Sequence, residues 1–438
     1  MTPARVAAFK ALIHFRRDGA WTDLLLKKEL SDMSSEDAAL ATAITYGVLQ
    51  NMNLIDFYIS QYSSIKLKKI MPQVLDAMRC GAYQVLFMDK IPMFAAVNET
   101  VSIIKKSTNP KAASFANAVL RKLCDNKDSL PALNCATKEE YFSIKYSHPL
   151  WLVEKFVNQF GVKTCESILK ANNSAAPLYI RVNTIKISTD DLVSVLTEKN
   201  VQVCRVDGLE DALQCTSDFP LHLTDEFKKG LFYIQDIASQ LAVHLLNPKP
   251  EDCVIDMCSA PGGKSLVAAQ YMCNKGYIRS FDLYPHKVEI IKNNADKYGA
   301  YIIESAVADS AKTDETLLEW ADKIICDVPC SGIGIIRKKP DIRYKNPEDI
   351  KDLPAIQYSI LKNASKYLKP GGRLVYSTCT ILKDENEDII NRFLSEEKDF
   401  SLVKVSNEIF GDSDGMITLL PHINNSDGFF ISVLERKI

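Results

Sequence analysis

Cys253-Val254-Ile255-Asp256-Met257-Cys258-Ser259-Ala260-Pro261-Gly262-Gly263-Lys264 decides the fold of this 438-residue chain. A short apolar run reaches Met257, a turn with two glycines follows, and a helical stretch resumes over Lys264–Met272. This is strand, turn, helix. The unit recurs downstream. Tyr277–Phe281 reads as a strand ending at Asp282, Tyr301–Val307 as one ending near Asp309, and Lys323–Cys326 as one ending at Asp327. Leu374–Tyr376 is a fifth, introduced by the turn Pro370-Gly371-Gly372. Helical stretches over Lys287–Lys297 and Leu353–Tyr367 lie between them. Alternating β and α predicts a mostly parallel sheet covered on both faces. Met416–Leu420 and Phe429–Val433 flank a polar turn and predict a closing antiparallel C-terminal hairpin.

Toward the N-terminus the pattern changes. Val6, Phe9 and Ile13 share one helical face, as do Val74, Met78, Val85 and Leu86, and then Val97, Val101 and Ile104. Met71-Pro72, Ile91-Pro92 and Asn109-Pro110 break the pattern between them. Residues 1–130 therefore read as an all-α domain of five to seven helices, with no internal repeat. The polar stretch Asn126–Pro131 marks a linker. Residues 140–230 form a small α+β segment: Trp151–Phe160 and Asp190–Asn200 read as helices, Leu178–Val182 and Val201–Val206 as strands. The α/β part occupies 231–438.

Composition narrows the function classes. Hydrophobic residues make up 47% and charged residues 25%, which supports buried cores and excludes wholesale disorder. No window approaches the ~20 apolar residues of a membrane span. The apolar start is broken by Lys10 and His14 and ends in Arg16-Arg17, unlike a cleavable signal. A soluble cytoplasmic protein is expected. The 12 cysteines include no C-x-x-C pair and no His/Cys cluster at ligand spacing, so reduced thiols and no metal are expected. The formal charge of −2 is uneven: residues 1–150 hold 19 Lys/Arg against 14 Asp/Glu, and the remainder 34 against 41. A basic first part points weakly to a polyanion, and a solvated helical surface explains it equally well.

In a parallel sheet, ligands bind beyond the carboxyl ends of the strands. Cys258, Ser259, Ala260, Pro261, Gly262, Gly263 and Lys264 collect there, with Asp282, Asp309, Asp327, Cys330 and Cys379. The two glycines let a ligand approach the backbone, and the helix after them offers free N–H groups. Asp282 lies 26 residues beyond Asp256, where an acid can accept from ribose hydroxyls, and Asp309 is within reach of an adenine amino group. Gly263-Lys264-Ser265 also resembles the end of a P-loop. That motif, however, needs glycine where Cys258 stands, and Pro261 removes an N–H from the loop. The two thiols follow the fourth and fifth strands, in Asp327-Val328-Pro329-Cys330 and Ser377-Thr378-Cys379. Cysteine is a strong nucleophile near neutral pH. Taken singly, each is a packing residue by default; placed together beside an acid, they point to chemistry.

These residues resemble the motifs of RNA (cytosine-5)-methyltransferases that use S-adenosylmethionine. The matches are Asp-Met-Cys-Ser-Ala-Pro-Gly-Gly-Lys at 256–264, Asp-Val-Pro-Cys at 327–330 and Ser-Thr-Cys-Thr at 377–380. Arg181–Thr184, Gln235–Ser239, Arg337–Asp341 and Asp427–Phe430 extend the likeness. Val97–Thr100 and Phe115–Leu120 resemble the RNA-binding helical domain of NusB. Together they resemble the RsmB (Sun, Fmu) family of 16S rRNA (cytosine-5)-methyltransferases over nearly the whole chain. Ser259 departs from the alanine common there.

The resemblance implies a NusB-like domain over 1–130, an RNA-recognition segment over 140–230 and a Rossmann-like methyltransferase domain over 231–438. It implies Cys379 as the thiol that attacks carbon 6 of cytosine, Cys330 as the aid to product release, and Asp327 as the group orienting the base and compensating charge. Cys258–Lys264, Asp282, Asp309 and Asp327 would hold the cofactor, with Asp282 at the ribose and Asp309 at the adenine. Position alone does not decide between the two cysteines.

Arg337, Lys338, Lys339, Arg343 and Lys345 follow Cys330 and are placed to grip RNA phosphates, with Lys66, Lys68 and Lys69 a weaker second group. The expected partner is small-subunit rRNA; neither membrane nor metal is expected, and the chain is expected to act as a monomer. The competing reading is a non-catalytic RNA-binding assembly or antitermination factor.

Overall fold

The computed structural model describes residues 2–18, 26, 29–30 and 33–438. The chain forms two compact units: Met1–Asn173 with Lys339–Lys345, and Ser174–Lys338 with Asn346–Ile438.

Among its described residues the first unit is helical, with helices over Pro3–Asp18, Ser35–Tyr62, Pro72–Phe87, Met93–Ser107, Pro110–Asp125, Lys138–Lys145 and Leu150–Asn172. The breakers seen in the sequence are helix starts. Pro72 and Pro110 take first-turn positions, where a missing N–H costs nothing, and Asn109 caps by accepting from Ala112 N–H. Ile44, Val48, Val74, Met78, Val85, Val97, Ile104, Val119 and Leu120 fill one core. The last helix runs far beyond Trp151–Phe160 because it kinks at Gly161 (φ +77°), a left-handed position that glycine tolerates, and then continues.

The second unit carries two main sheets. β1 (Leu178–Val182), β2 (Gln202–Val206), β3 (Leu209–Thr216) and β4 (Phe232–Ile234) form an antiparallel sheet in the order β2-β3-β1-β4, with a helix over Thr189–Glu198. The larger sheet uses β5 (Cys253–Asp256), β6 (Tyr277–Asp282), β7 (Ile303–Val307), β8 (Ala321–Asp327), β9 (Leu368–Thr378) and β10 (Phe400–Leu402). β11 (Val405–Asn407) and β12 (Gly411–Ser413) pair separately as a hairpin; β13 (Met416–Leu419) and β14 (Phe429–Arg436) complete the large sheet. Its order is β10-β14-β9-β8-β5-β6-β7, with β13 against β14. β9, β8, β5, β6 and β7 are parallel; β14 pairs antiparallel with β9, and β10 and β13 pair antiparallel with β14.

The fold is therefore a NusB-like helical domain followed by a methyltransferase domain with a mostly parallel sheet and antiparallel C-terminal strands. From β5 the chain steps outward to β6 and β7, then returns to place β8 and β9 on the other side. The strand order reverses between β5 and β8, and a crevice opens there beyond their carboxyl ends. β9 is longer than Leu374–Tyr376: it starts at Leu368, and a register irregularity opposite Ala321–Lys323 absorbs the Pro370-Gly371-Gly372 turn. The turn between β13 and β14 holds a short helix, Pro421–Asn424. No helix among the described residues is long and apolar enough to cross a membrane.

Candidate active site

The turn after β5 is fixed by backbone bonds to both neighbouring strands. Met257 N–H donates to Ile325 O of β8 (2.9 Å), and Ser259 N–H to Phe281 O of β6 (2.7 Å). The Ala260–Pro261 bond is cis, and Gly262 (φ +100°) starts the helix Gly263–Tyr271 from a left-handed conformation. Asp256 is 1% exposed and accepts from Ser265 Oγ at 2.6 Å. Ser265 also meets Ser259 Oγ (2.9 Å) and Ser280 Oγ (2.8 Å), so four side chains clamp the turn. Burial pushes the Asp256 carboxyl up to about 6.

A cavity of about 440 Å³ opens above the strand ends. Asp282 and Asp309 line one end of it, and Asp327, Cys330 and Cys379 the other, with Cys258 and Ala260 between. Asp282 is buried and accepts from Tyr284 N–H on Oδ1 (3.2 Å), with Lys287 Nζ 3.6 Å away. Asp309 accepts from Ala311 N–H (3.1 Å). A smaller pocket of about 170 Å³ shares Cys258, Ala260 and Asp327 and is lined further by Ser259, Pro261, Gly263 and Lys264. A larger cleft of about 940 Å³, near Asp211, His244 and Tyr271, contains none of the strand-end acids or these two thiols.

At the thiol end, β8 and β9 run parallel with Asp327 opposite Ser377. Asp327 accepts from Ser377 Oγ on Oδ1 (2.6 Å) and from Lys264 Nζ on Oδ2 (2.7 Å). Cys330 Sγ and Cys379 Sγ lie 3.1 Å apart. The hydrogen bond to Cys379 and burial hold the Cys330 thiol well above its ordinary value, and either sulfur can be the donor of the pair. Among the described residues no group of three His, Cys, Asp or Glu side chains is placed to hold a metal ion.

Residues 243–435 match the family described as 16S rRNA methyltransferase RsmB/F, residues 2–125 the NusB family, and residues 148–222 the ferredoxin-like domain of RsmF/B-like methyltransferases. A Bacillus subtilis (strain 168) protein named "Probable ribosomal RNA small subunit methyltransferase B" is 36% identical, covering 100% of this chain and 99% of its own. The chain belongs to the RsmB family of small-subunit rRNA methyltransferases. A protein of the same name from Synechocystis is 30% identical, with 100% of both chains covered. The solved structure of PH0851 is 27% identical and superimposes with a TM-score of 0.82 over 100% of this chain and 99% of its own.

Of the residues singled out in this RsmB-family chain, the strand-end acids and both cysteines gather at one cavity. Lys264 points to Asp327 and packs 5.4 Å over the Phe429 ring. Gly262 lines neither pocket and serves the turn. The basic residues after Cys330 divide. Arg343 is corrected: it is fully buried in the first unit, donating to the carbonyls of Gln50 (2.9 Å) and Ser147 (3.0 Å) and to Asn173 Oδ1 (3.0 Å). Those bonds satisfy carbonyls near helix ends, and full burial keeps the guanidinium away from any phosphate. Lys338 bridges Asp236 (2.7 Å) and Asp427 (2.9 Å), and Arg337 donates to Ala175 O. Lys339 and Lys345 are half-buried in the first unit; Lys66, Lys68 and Lys69 are exposed there.

Sequence reasoning missed Leu283, Tyr284, Lys287, Ser310, Ile356 and Ile360 as cavity walls. Two of these directly follow the acid Asp282, a signal available in the sequence. Ile356 and Ile360, one helical turn apart, are indistinguishable there from core residues.

Proposed function

We propose that this rRNA methyltransferase acts at carbon 5 of a cytosine in small-subunit rRNA, through a transient bond between Cys379 Sγ and carbon 6 of the base. The observation that carries this reading is the pair of thiols 3.1 Å apart beside Asp327, at one end of a cavity whose other end holds Asp282 and Asp309.

The methyl donor is S-adenosylmethionine, which supplies an activated methyl group on its sulfonium. The residues present fit it. The cavity of about 440 Å³ is lined by both the strand-end acids and the thiols. Its acids accept hydrogen bonds, as ribose and adenine require, and the helix at Gly263 presents N–H groups. Cys258–Lys264, Asp282 and Asp309 would hold this group.

The chain's own residues do the rest. Carbon 5 of cytosine is a weak nucleophile. As the Cys379 thiolate bonds to carbon 6, the electron pair of the 5,6 double bond becomes available at carbon 5. In this reading Asp327, steadied by Ser377 and Lys264, accepts from the exocyclic amine and so orients the ring for attack. Once carbon 5 is methylated, its proton passes to solvent water, the C5–H electron pair re-forms the 5,6 double bond, and the S–C6 pair returns to Cys379. Cys330, whose sulfur lies 3.1 Å from that departing sulfur, would aid its release. The target base must leave any stack to reach this cavity.

Two variants test the reading with small-subunit rRNA and labelled donor. Cys379→Ala is expected to abolish turnover and adduct; Cys330→Ala is expected to accumulate an RNA–protein adduct that survives denaturation. The reverse pattern exchanges the two roles, and no adduct in either variant together with a methyl group found elsewhere than carbon 5 overturns the reading.

A further inference from the structure

Both thiols sit on turns rather than inside strands, so something must fix their mutual geometry. We propose that Glu385 and Asn386, consecutive in sequence, are positioning residues that hold the two cysteine-bearing turns against each other. This rests on the roles given above to Cys330 and Cys379.

Glu385 closes the short 3-10 turn Lys383–Glu385, and its carbonyl accepts from Tyr376 OH of β9 (2.7 Å). Its side chain is 2% exposed. Oε2 accepts from Ser331 N–H (2.8 Å) and from Gln357 Nε2 (2.9 Å). The fully buried Gln357 also donates to Pro329 O (2.9 Å). Pro329 O and Ser331 N–H belong to the two peptide groups flanking the Cys330 Cα. With both peptides held, the direction of the Cys330 Cα–Cβ bond is set. Burying a carboxyl group is costly unless it is hydrogen-bonded, and here two donors converge on one of its oxygens.

Asn386 does the equivalent for the other thiol. It is fully buried, its Oδ1 accepts from Thr378 Oγ1 (2.6 Å), and its Nδ2 donates to Thr380 O (3.0 Å), on either side of Cys379. Ser331 Oγ donates to Thr380 Oγ1 (2.9 Å) and joins the two turns. Neither Glu385 nor Asn386 lines the 440 Å³ cavity, so both act through the cysteines.

The test uses the full chain, labelled donor, small-subunit rRNA and a denaturing gel. Glu385→Ala is expected to lower kcat by roughly 10²-fold, the scale of a misplacement of about 1 Å, with KM for RNA changed by no more than about twofold. Because the Cys330 turn is the one released, the variant should accumulate adduct. Glu385→Gln keeps an acceptor at the Oε2 position and should recover most of the rate. Asn386→Ala frees the Cys379 turn and should slow adduct formation itself. A general loss of fold would instead impair Glu385→Gln equally and give the same adduct pattern for both alanine variants; that result, or wild-type kcat in both, overturns the proposal. Cys330→Ala is run alongside. If it gives adduct while Glu385→Ala does not, this inference alone fails; if it gives none, the reading of the thiols fails and takes the inference with it.

Discussion

Gly334 offers a sharp perturbation of the thiol geometry. Its N–H donates to Cys379 O (3.0 Å), and its own carbonyl accepts from Gly428 N–H (2.9 Å), so two loops and the end of β9 meet backbone to backbone. A Cβ built at Gly334 lies 1.8 Å from Gly428 O and 2.9 Å from Cys379 O. These are main-chain atoms that no rotamer change can clear. Gly334 is not in a left-handed conformation, so Gly334→Ala adds a steric load without backbone strain. Relieving the 1.8 Å contact requires the layers to part by about 1 Å or more, at an overpacking cost of roughly 1–3 kcal/mol. The same displacement reaches Cys379, and about 1 Å at a reacting atom is worth roughly 10²-fold in rate. The assay is steady-state methyl transfer to rRNA, with donor affinity by calorimetry and melting followed by circular dichroism. kcat should fall by roughly that factor while donor affinity changes by no more than about threefold, because Asp282 and Asp309 sit at the far end of the cavity. A folded Gly334→Ala protein with wild-type kcat refutes the reasoning.

Two further outcomes are expected. Asp282→Ala removes the buried acid at the β6 end and should weaken S-adenosylmethionine binding about 10- to 100-fold, the range of a hydrogen bond to a charged group, with kcat at saturating donor much less affected; unchanged affinity counts against the ribose contact. The Asp256 carboxyl rises from an ordinary 3.8 to about 6 in the folded chain, so between those values the folded state binds more protons than the unfolded one and stability falls as pH rises. Melting temperature measured from pH 4 to 6 should show a slope that Asp256→Asn flattens; an identical slope in the variant sinks the assignment.

An apolar run and its terminal acid occupy consecutive positions, so β5, β6 and β8 and their acids are visible without any tertiary information. Leu353–Tyr367 appears in the structure with the bounds its periodicity predicts. β3 was not visible: Leu209–Thr216 breaks its alternation with Glu210 and Asp211, and Asp211 belongs there because it pairs with the buried Arg181 at 3.1 Å. Arg343 shows the opposite failure. In sequence it is one cation in a basic run; in the structure its neighbours are helix-end carbonyls. Glu385 and Gln357 carry no spacing signal, because their partners lie 54 and 28 residues away.

By itself the amino-acid order determined which strands end in acids, where the thiols fall along the chain, and that helices precede a parallel sheet. These depend on side-chain period and turn chemistry, which act over a few residues. Tertiary structure alone decided that β8 lies between β5 and β9, that two sulfurs 49 residues apart come within 3.1 Å, and that a charged side chain after Cys330 is walled in rather than presented to RNA. Strand order and burial are set by which faces pack together, and that is a property of the folded chain as a whole.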